Sequence, residues 1–218
     1  GIGCTGKLDD YIVTNALHTT HGRALAYATG IAAFNPKLNV VVVMGDGDSV
    51  TIGGNHFIHA ARRNIDVTAI VLNNFNFGMT GGQVSGTTPE WSFTSTTSYG
   101  NPEREFDVCA LAETAGANYV ARGTPYHGWE LQQNLKQALT HKGFSLVEVI
   151  SPDDRTRDKL DFYSRLGVRE LLLIDREPWA LELYRGGPSG LQRVESADPQ
   201  AGEVRSAVLP LTFRLVAA

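Results

Sequence analysis

Short apolar runs alternate with polar clusters along this chain. Asn39–Met44 reads as one such run, leading into Gly45-Asp46-Gly47-Asp48, and Val67–Leu72 as a second, leading into Asn73-Asn74. Runs this short and β-branched, bounded by turn residues, predict buried strands. Ile52–Asn64 is long enough for a helix between them, so the two strands should be parallel neighbours joined by a crossover. The same alternation continues on both sides. The stretch from His18 opens a helix that runs to about Phe34 and is stopped by Asn35-Pro36. Glu105–Gly116 has helical spacing with Phe106, Cys109, Ala110 and Ala112 on or near one face, which makes Cys109 a core residue. Asn118–Ala121 predicts a strand, His127–His141 a helix and Phe144–Ile150 a buried strand. The fold class is therefore α/β, a doubly wound and mostly parallel sheet.

Between these elements, Gly1–Thr5 reads as the end of a strand entering a loop, and Phe75–Thr88 as a Gly- and Thr-rich loop. Thr87–Pro102 is long and without periodicity, and loops of that kind in compact domains are functional or mobile. Its Trp91, Phe93 and Tyr99 pack either on their own domain or on a partner. After Ile150 the pattern changes to a charged amphipathic helix, Asp154–Leu166, and strands at Arg169–Asp175, Trp179–Tyr184 and Leu211–Val216. This is a small α+β tail with hairpins, so the expected division is 1–150 and 151–218.

Composition narrows the function classes. With 42% apolar and 19% charged residues over 218 positions, the chain reads as soluble and globular with a sizeable core. A net charge of −4 argues for neither nucleic acid nor an anionic membrane. Two cysteines make no disulfide framework, no apolar run is long enough for a bilayer, and no signal peptide is visible, so the cytoplasm is the default location. The chain opens at Gly1 in mid-motif, and upstream sequence is expected to be missing.

Parallel crossover topology brings both polar clusters to the carboxyl edge of the sheet, where open α/β sheets bind ligands. Asp46 offers a carboxylate and Asn74 an amide oxygen, hard donors that suit Mg²⁺ or Ca²⁺ better than zinc. Gly45 and Gly47 let a diphosphate approach the backbone, and Thr80, Gly81 and Gly82 offer hydroxyl and amide donors to phosphate oxygens. A Mg²⁺–diphosphate cofactor follows from this spacing; the plain alternative is a strand-end turn with capping Asp and Asn.

Gly-Asp-Gly followed after 25 residues by Asn-Asn resembles the thiamine diphosphate motif. Gly1-Ile2-Gly3-Cys4, His21-Gly22-Arg23-Ala24, the run Gly53–Asn64 and Gly81-Gly82-Gln83 are similar to the β subunit of 2-oxoacid:ferredoxin oxidoreductases, of the 2-oxoglutarate type, over roughly residues 1–150. The resemblance implies oxidative decarboxylation of a 2-oxo acid to an acyl-CoA, with an α subunit, ferredoxin and coenzyme A as partners. It implies that Asp46, Asn74 and the carbonyl of Asn76 hold Mg²⁺. Gly45, Gly47, Asp48, Thr80, Gly81, His21 and Arg23 would then line the cofactor, with Lys7 and His21 toward the substrate. It also implies a [4Fe–4S] cluster with Cys4 as one ligand, but such clusters need four thiolates, and Ser151-Pro152-Asp153 stands where the fourth would be. Cys4 is thus read as a vestigial ligand. The acid that activates the cofactor comes in that family from the α subunit, so this chain alone is expected to turn over little.

Beyond residue 147 a second resemblance begins. Val147–Pro152, Arg157-Asp158-Lys159, Phe162-Tyr163, Gly167–Glu170 and Leu173–Asp175 are similar to the C-terminal half of a restriction-endonuclease family with the PD-(D/E)xK nuclease fold. That would make Glu148 a metal-binding acid and Lys159 a catalytic lysine. The preceding acid of that motif has no counterpart here. Three functions are therefore carried forward: the oxidoreductase β-subunit fragment, a Mg²⁺-dependent endonuclease, and a non-catalytic mosaic of the two, joined at the shared Val-Glu-Val-Ile-Ser.

Overall fold

The structure is a computed structural model that describes residues 1–151, 164, 168–176, 179–198, 200, 202–208 and 210–214. The chain divides into two compact units, Gly1–Asp153 and Asp154–Ala218.

The first unit begins with a 3-10 helix over Cys4–Tyr11, where the sequence predicts a strand end. Gly3 explains the difference. Its φ of 106° takes the chain out of extended geometry, a conformation that glycine adopts without steric cost. Helix α1 (Ala24–Phe34) is followed by strand β1 (Val40–Gly45), a π-helical turn (Gly47–Ile52), helix α2 (Gly54–Arg62) and strand β2 (Val67–Asn73). Two short strands, β3 (Asn76–Phe77) and β4 (Gln83–Val84), pair antiparallel inside the predicted Gly/Thr-rich loop. Helix α3 (Val108–Ala115), strand β5 (Tyr119–Gly123), helix α4 (Gly128–Thr140) and strand β6 (Ser145–Ile150) complete the unit. α3 starts later than its periodicity suggests because Asp107 is its N-cap, its side chain accepting from the Ala110 amide at 3.1 Å.

The four long strands form one parallel sheet in the order β1-β2-β6-β5. Helices cover both faces. Leu25 and Ala28 of α1, Phe57 and Ala61 of α2, and Val108 and Ala112 of α3 pack with Val42, Met44, Ala69, Val71 and Leu146 of the sheet. On the other face Ala138, Leu131 and Leu135 of α4 meet Val147, Val149, Ile70 and Leu72. β2 and β6, buried on both faces, read as continuous apolar runs. β1 stands at the edge of the sheet, and its Val41 is exposed, so that run is only partly the buried strand the sequence predicts. Phe57 and Phe144, both fully buried, meet edge to face at 6.0 Å between centroids.

In the second unit, strands β7 (Glu170–Arg176), β8 (Trp179–Gly187) and β9 (Gly190–Ala197) form an antiparallel sheet, and β10 (Val204–Arg205) pairs with β11 (Thr212–Phe213). The sequence reading lacks β9. Only Leu191 and Ala197 of that strand are buried, so it shows no apolar alternation, and a bulge at Leu183/Tyr184 of its partner breaks the register. Leu173, Tyr184 and Leu191 cluster together, and Leu181, Leu183, Ala197 and Val204 form a second cluster. Of the predicted helix Asp154–Leu166 all but Ser164 lies outside the described residues, as does Lys159. Among the described residues no helix is long and apolar enough to cross a membrane.

Candidate functional site

β1 and β2 run side by side in register, Gly45 opposite Leu72, so the residues that follow each strand emerge at one edge. Asp46 stands there with only 1% of its surface exposed. Its Oδ2 accepts from the hydroxyls of Ser85 and Thr87, the latter at 2.6 Å. Its Oδ1 faces the side-chain amide of Asn74. One terminal atom of that amide lies 2.9 Å from Asp46 Oδ1 and 2.8 Å from the Asn76 carbonyl oxygen. With nitrogen there, the orientation that the surrounding acceptors favour, the amide donates to both; with oxygen there, a cation or a proton on Asp46 must join the amide, the carboxylate and the carbonyl. Adjacent oxygens around Mg²⁺ stand about 3.0 Å apart, the edge of an octahedron with bonds of about 2.1 Å. The two separations fit that spacing, so the residues present suit a small hard cation.

Burial raises the pKa of Asp46, and the Ser85 and Thr87 hydrogen bonds oppose that shift. A divalent ion would supply the positive charge that this buried carboxylate has in no side chain bonded to it.

Asp48, also buried, bonds through Oδ1 to His21 Nδ1 and to the Gly22 amide at 2.6 Å. The His21 ring meets Phe77 edge-on at 5.9 Å. The two glycines flanking Asp46 differ in what surrounds them. A Cβ on Gly47 would lie 2.3 Å from the Phe77 ring, whereas one on Gly45 would have only the Leu72 carbonyl oxygen near it, at 3.9 Å. Gly47 is thus required by a neighbouring side chain, and the backbone at Gly45 is the one left open to approach.

The family model described as "Thiamine pyrophosphate enzyme, C-terminal TPP binding domain" matches residues 1–149. The chain belongs to the thiamine pyrophosphate enzyme family. Among curated proteins it is similar to the 2-oxoglutarate synthase subunit KorB of Archaeoglobus fulgidus, 58% identical over 151 residues, 69% of this chain and 57% of that protein. Its counterpart in Methanothermobacter marburgensis is 52% identical over 69% of this chain and 53% of that protein. Among solved structures it is similar to 2-oxoglutarate:ferredoxin oxidoreductase from Magnetococcus marinus with 2-oxoglutarate, coenzyme A and succinyl-CoA bound. The TM-score is 0.71 at 37% identity, over 76% of this chain and 57% of that one. The chain spans a little over half the length of these relatives.

Within this thiamine pyrophosphate domain the other residues singled out by sequence are spread more widely. Arg23 is exposed, and its Nη1 bonds His56 Nε2 of α2 at 2.8 Å. Lys7 and Cys4 are exposed on the N-terminal 3-10 helix. Thr80 donates to Gln83 Oε1 at 2.6 Å, and the amides of Gly81 and Gly82 donate to the carbonyls of Gly78 and Phe77, so these donors close the β3–β4 turn. His18 pairs with Asp9 at 2.8 Å, away from His21.

Several contacts of the thiamine pyrophosphate domain lie beyond the sequence reading. Ser85 and Thr87 were legible only as members of a hydroxyl-rich run. Glu148 lies mid-strand in β6, 1% exposed, and accepts from Asn73 Nδ2 at 2.7 Å and from Arg122 Nε at 2.6 Å. The Cys109 thiol is only half-buried, and its Sγ lies 3.3 Å from the same carboxylate, a charged neighbour that its helix periodicity does not reveal. Both oxygens of Glu148 are thus engaged within the domain. The family match ends at Val149, and the nuclease reading of Glu148 and Lys159 gains no support from the comparisons.

Proposed function

We propose that this chain is the cofactor-binding part of a 2-oxoacid:ferredoxin oxidoreductase β subunit of the 2-oxoglutarate type. The observation that carries the reading is the convergence of the Asp46 carboxylate, the Asn74 amide and the Asn76 carbonyl at one sheet edge. The relatives named 2-oxoglutarate synthase, and the solved enzyme with 2-oxoglutarate and succinyl-CoA bound, support the substrate class.

In this reading Asp46, Asn74 and Asn76 hold Mg²⁺. Ser85 and Thr87 orient Asp46, fixing Oδ2 with two hydroxyls so that Oδ1 is turned to the ion. Gly45 offers open backbone to the diphosphate; Asp48 and His21 are assigned to the cofactor, and so, by the family resemblance, are Arg23, Thr80 and Gly81, which bond His56, Gln83 and Gly78 in this structure. Asp48 fixes the His21 ring through Nδ1, leaving Nε2 as the nitrogen able to exchange a proton. Lys7 and His21 are assigned to the substrate side of the site. Thiamine diphosphate, when bound, supplies the carbanion stabilisation that decarboxylation of a 2-oxo acid requires. An α subunit, ferredoxin and coenzyme A complete the reaction, in the cytoplasm.

Calorimetry with Mg²⁺ and thiamine diphosphate tests the assignment. Wild type should give a saturable heat and Asp46→Ala none. Equal heats from the two would remove the role given to the motif.

A further inference from the structure

The turn that presents Asn74 and Asn76 is held partly from within, Asn76 Nδ2 donating to the Asn74 carbonyl at 3.0 Å, and partly from outside. Phe75, between them, has φ of 63°, the left-handed region that a bulky residue avoids. Such a conformation persists only where the surroundings over-determine it. Here Asn73 Oδ1 accepts from the Phe75 amide at 3.0 Å, and Thr88 Oγ1 donates to the Phe75 carbonyl at 2.5 Å. The remaining half of the Asn73 amide decides which way that side chain faces. Its Nδ2 donates to Glu148 Oε1 at 2.7 Å, across the sheet and 75 positions away in the chain. Glu148 is fixed in turn by Arg122 of β5, whose guanidinium also reaches Asp107 at the start of α3.

Asn73 and Glu148 are 2% and 1% exposed, and Glu148 stands between Val71 of β2 and Arg122 of β5. Glu148 is the buried end of an ion pair whose arginine side chain is 46% exposed, and its other oxygen is committed to Asn73. What this contact specifies is the orientation of Asn73, hence the Phe75 turn, hence where the oxygens of Asn74 and Asn76 stand.

We infer that Glu148 and Asn73 are positioning residues for the cation site, a strut from the centre of the sheet to the turn after β2. The inference rests on the proposed Mg²⁺–thiamine diphosphate reading. It assigns the strut no contact with ion, cofactor or substrate; it acts through Asn74 and Asn76. Outer-shell partners of metal ligands commonly change metal affinity by about 10–100-fold when removed.

The test compares two double variants of the full chain, Arg122→Met with Glu148→Gln, and Arg122→Met with Glu148→Leu. Both lose the ion pair, and only the glutamine keeps an acceptor for Asn73. The probe is Mn²⁺ in the presence of thiamine diphosphate, followed by electron paramagnetic resonance, alongside a thermal melt. The glutamine variant should bind Mn²⁺ within about threefold of wild type, and the leucine variant about 10–100-fold more weakly. Equal affinities in the two variants, whether wild-type or reduced, would overturn the strut. Asn73→Ala, which leaves Glu148 paired with Arg122, should show the same 10–100-fold loss. Wild-type affinity in that variant would overturn the strut even if the leucine variant fails to fold. Asp46→Ala separates the two ideas. If it binds Mn²⁺ as wild type does, or if wild type binds none, the cation site itself is wrong and the strut falls with it. If Asp46→Ala loses binding while Asn73→Ala keeps it, only the strut is wrong.

Discussion

Asp46 is the residue at which the cost of burial and the use of charge meet. Burial raises its pKa despite the hydrogen bonds from Ser85 and Thr87. The folded chain therefore holds this proton more tightly than the unfolded chain, and the stability that Asp46 contributes in acid is lost as pH rises through its raised pKa. Asp46→Asn should melt at a higher temperature than wild type at neutral pH without cofactor, while losing the Mg²⁺-dependent heat of cofactor binding. A lower melting temperature in that comparison would contradict the cost assigned to the charge. Cys109 presents the opposite case, a group made inert by its surroundings. Burial, then the neighbouring Glu148 charge, push its thiol up to about 12. At pH 8 about one in ten thousand such thiols is ionised. Iodoacetamide at that pH should modify exposed Cys4 and spare Cys109 until the chain is unfolded, so mass spectrometry should count one label before unfolding and two after. Rapid double labelling of the folded chain would show that the pocket around Cys109 is open.

At the scale of elements, the two units use carboxylates differently. In the first, Glu148 ties three elements, β2, β5 and β6, through one side chain. In the second, Glu170 at the start of β7 gathers the segment after β10. Burial would raise the pKa of Glu170, but hydrogen bonds from the Ser206 hydroxyl, the Ala207 amide, Arg185 and the Val208 amide prevail and bring it to about 2. A depressed carboxylate stabilises the fold above its unfolded value and loses that contribution as pH falls from about 4.5 to about 2. The β7–β9 sheet of wild type should therefore weaken over that acid window, read from its amide resonances. In Glu170→Gln the sheet should start weaker and show less change across the window. Parallel acid profiles for the two proteins would rule this out. Neither carboxylate's role was legible beforehand. Glu148 reads as one polar letter in an apolar strand, and the partners of Glu170 follow a strand, β9, that has no apolar alternation to announce it.

For the molecule as a whole, the loop after β4 carries exposed aromatic side chains on an ordered frame. Buried Asn101 organises it, donating to the Thr88 carbonyl at 2.9 Å and the Glu103 carbonyl at 3.0 Å. Yet Trp91, Phe93 and Tyr99 are 58%, 76% and 95% exposed, so of the two roles open to them packing on their own domain is not the one taken. Changing all three to serine should move the stability of the chain by no more than about 0.5 kcal/mol per site, measured by urea unfolding. A large loss would mean that the loop packs more deeply. The apolar runs, their turn residues and the spacing of Gly-Asp-Gly to Asn-Asn determined the parallel β1–α2–β2 unit and the meeting of Asp46 with Asn74. A crossover between parallel strands has one common arrangement, and it carries both strand ends to the same edge. The tertiary structure alone decided that Ser85 and Thr87 clasp Asp46, that His21 belongs to Asp48, and that Glu148 braces Asn73. Those pairs stand 27 to 75 positions apart, and they depend on strand order and register, which bring together side chains that carry no mark of each other in sequence.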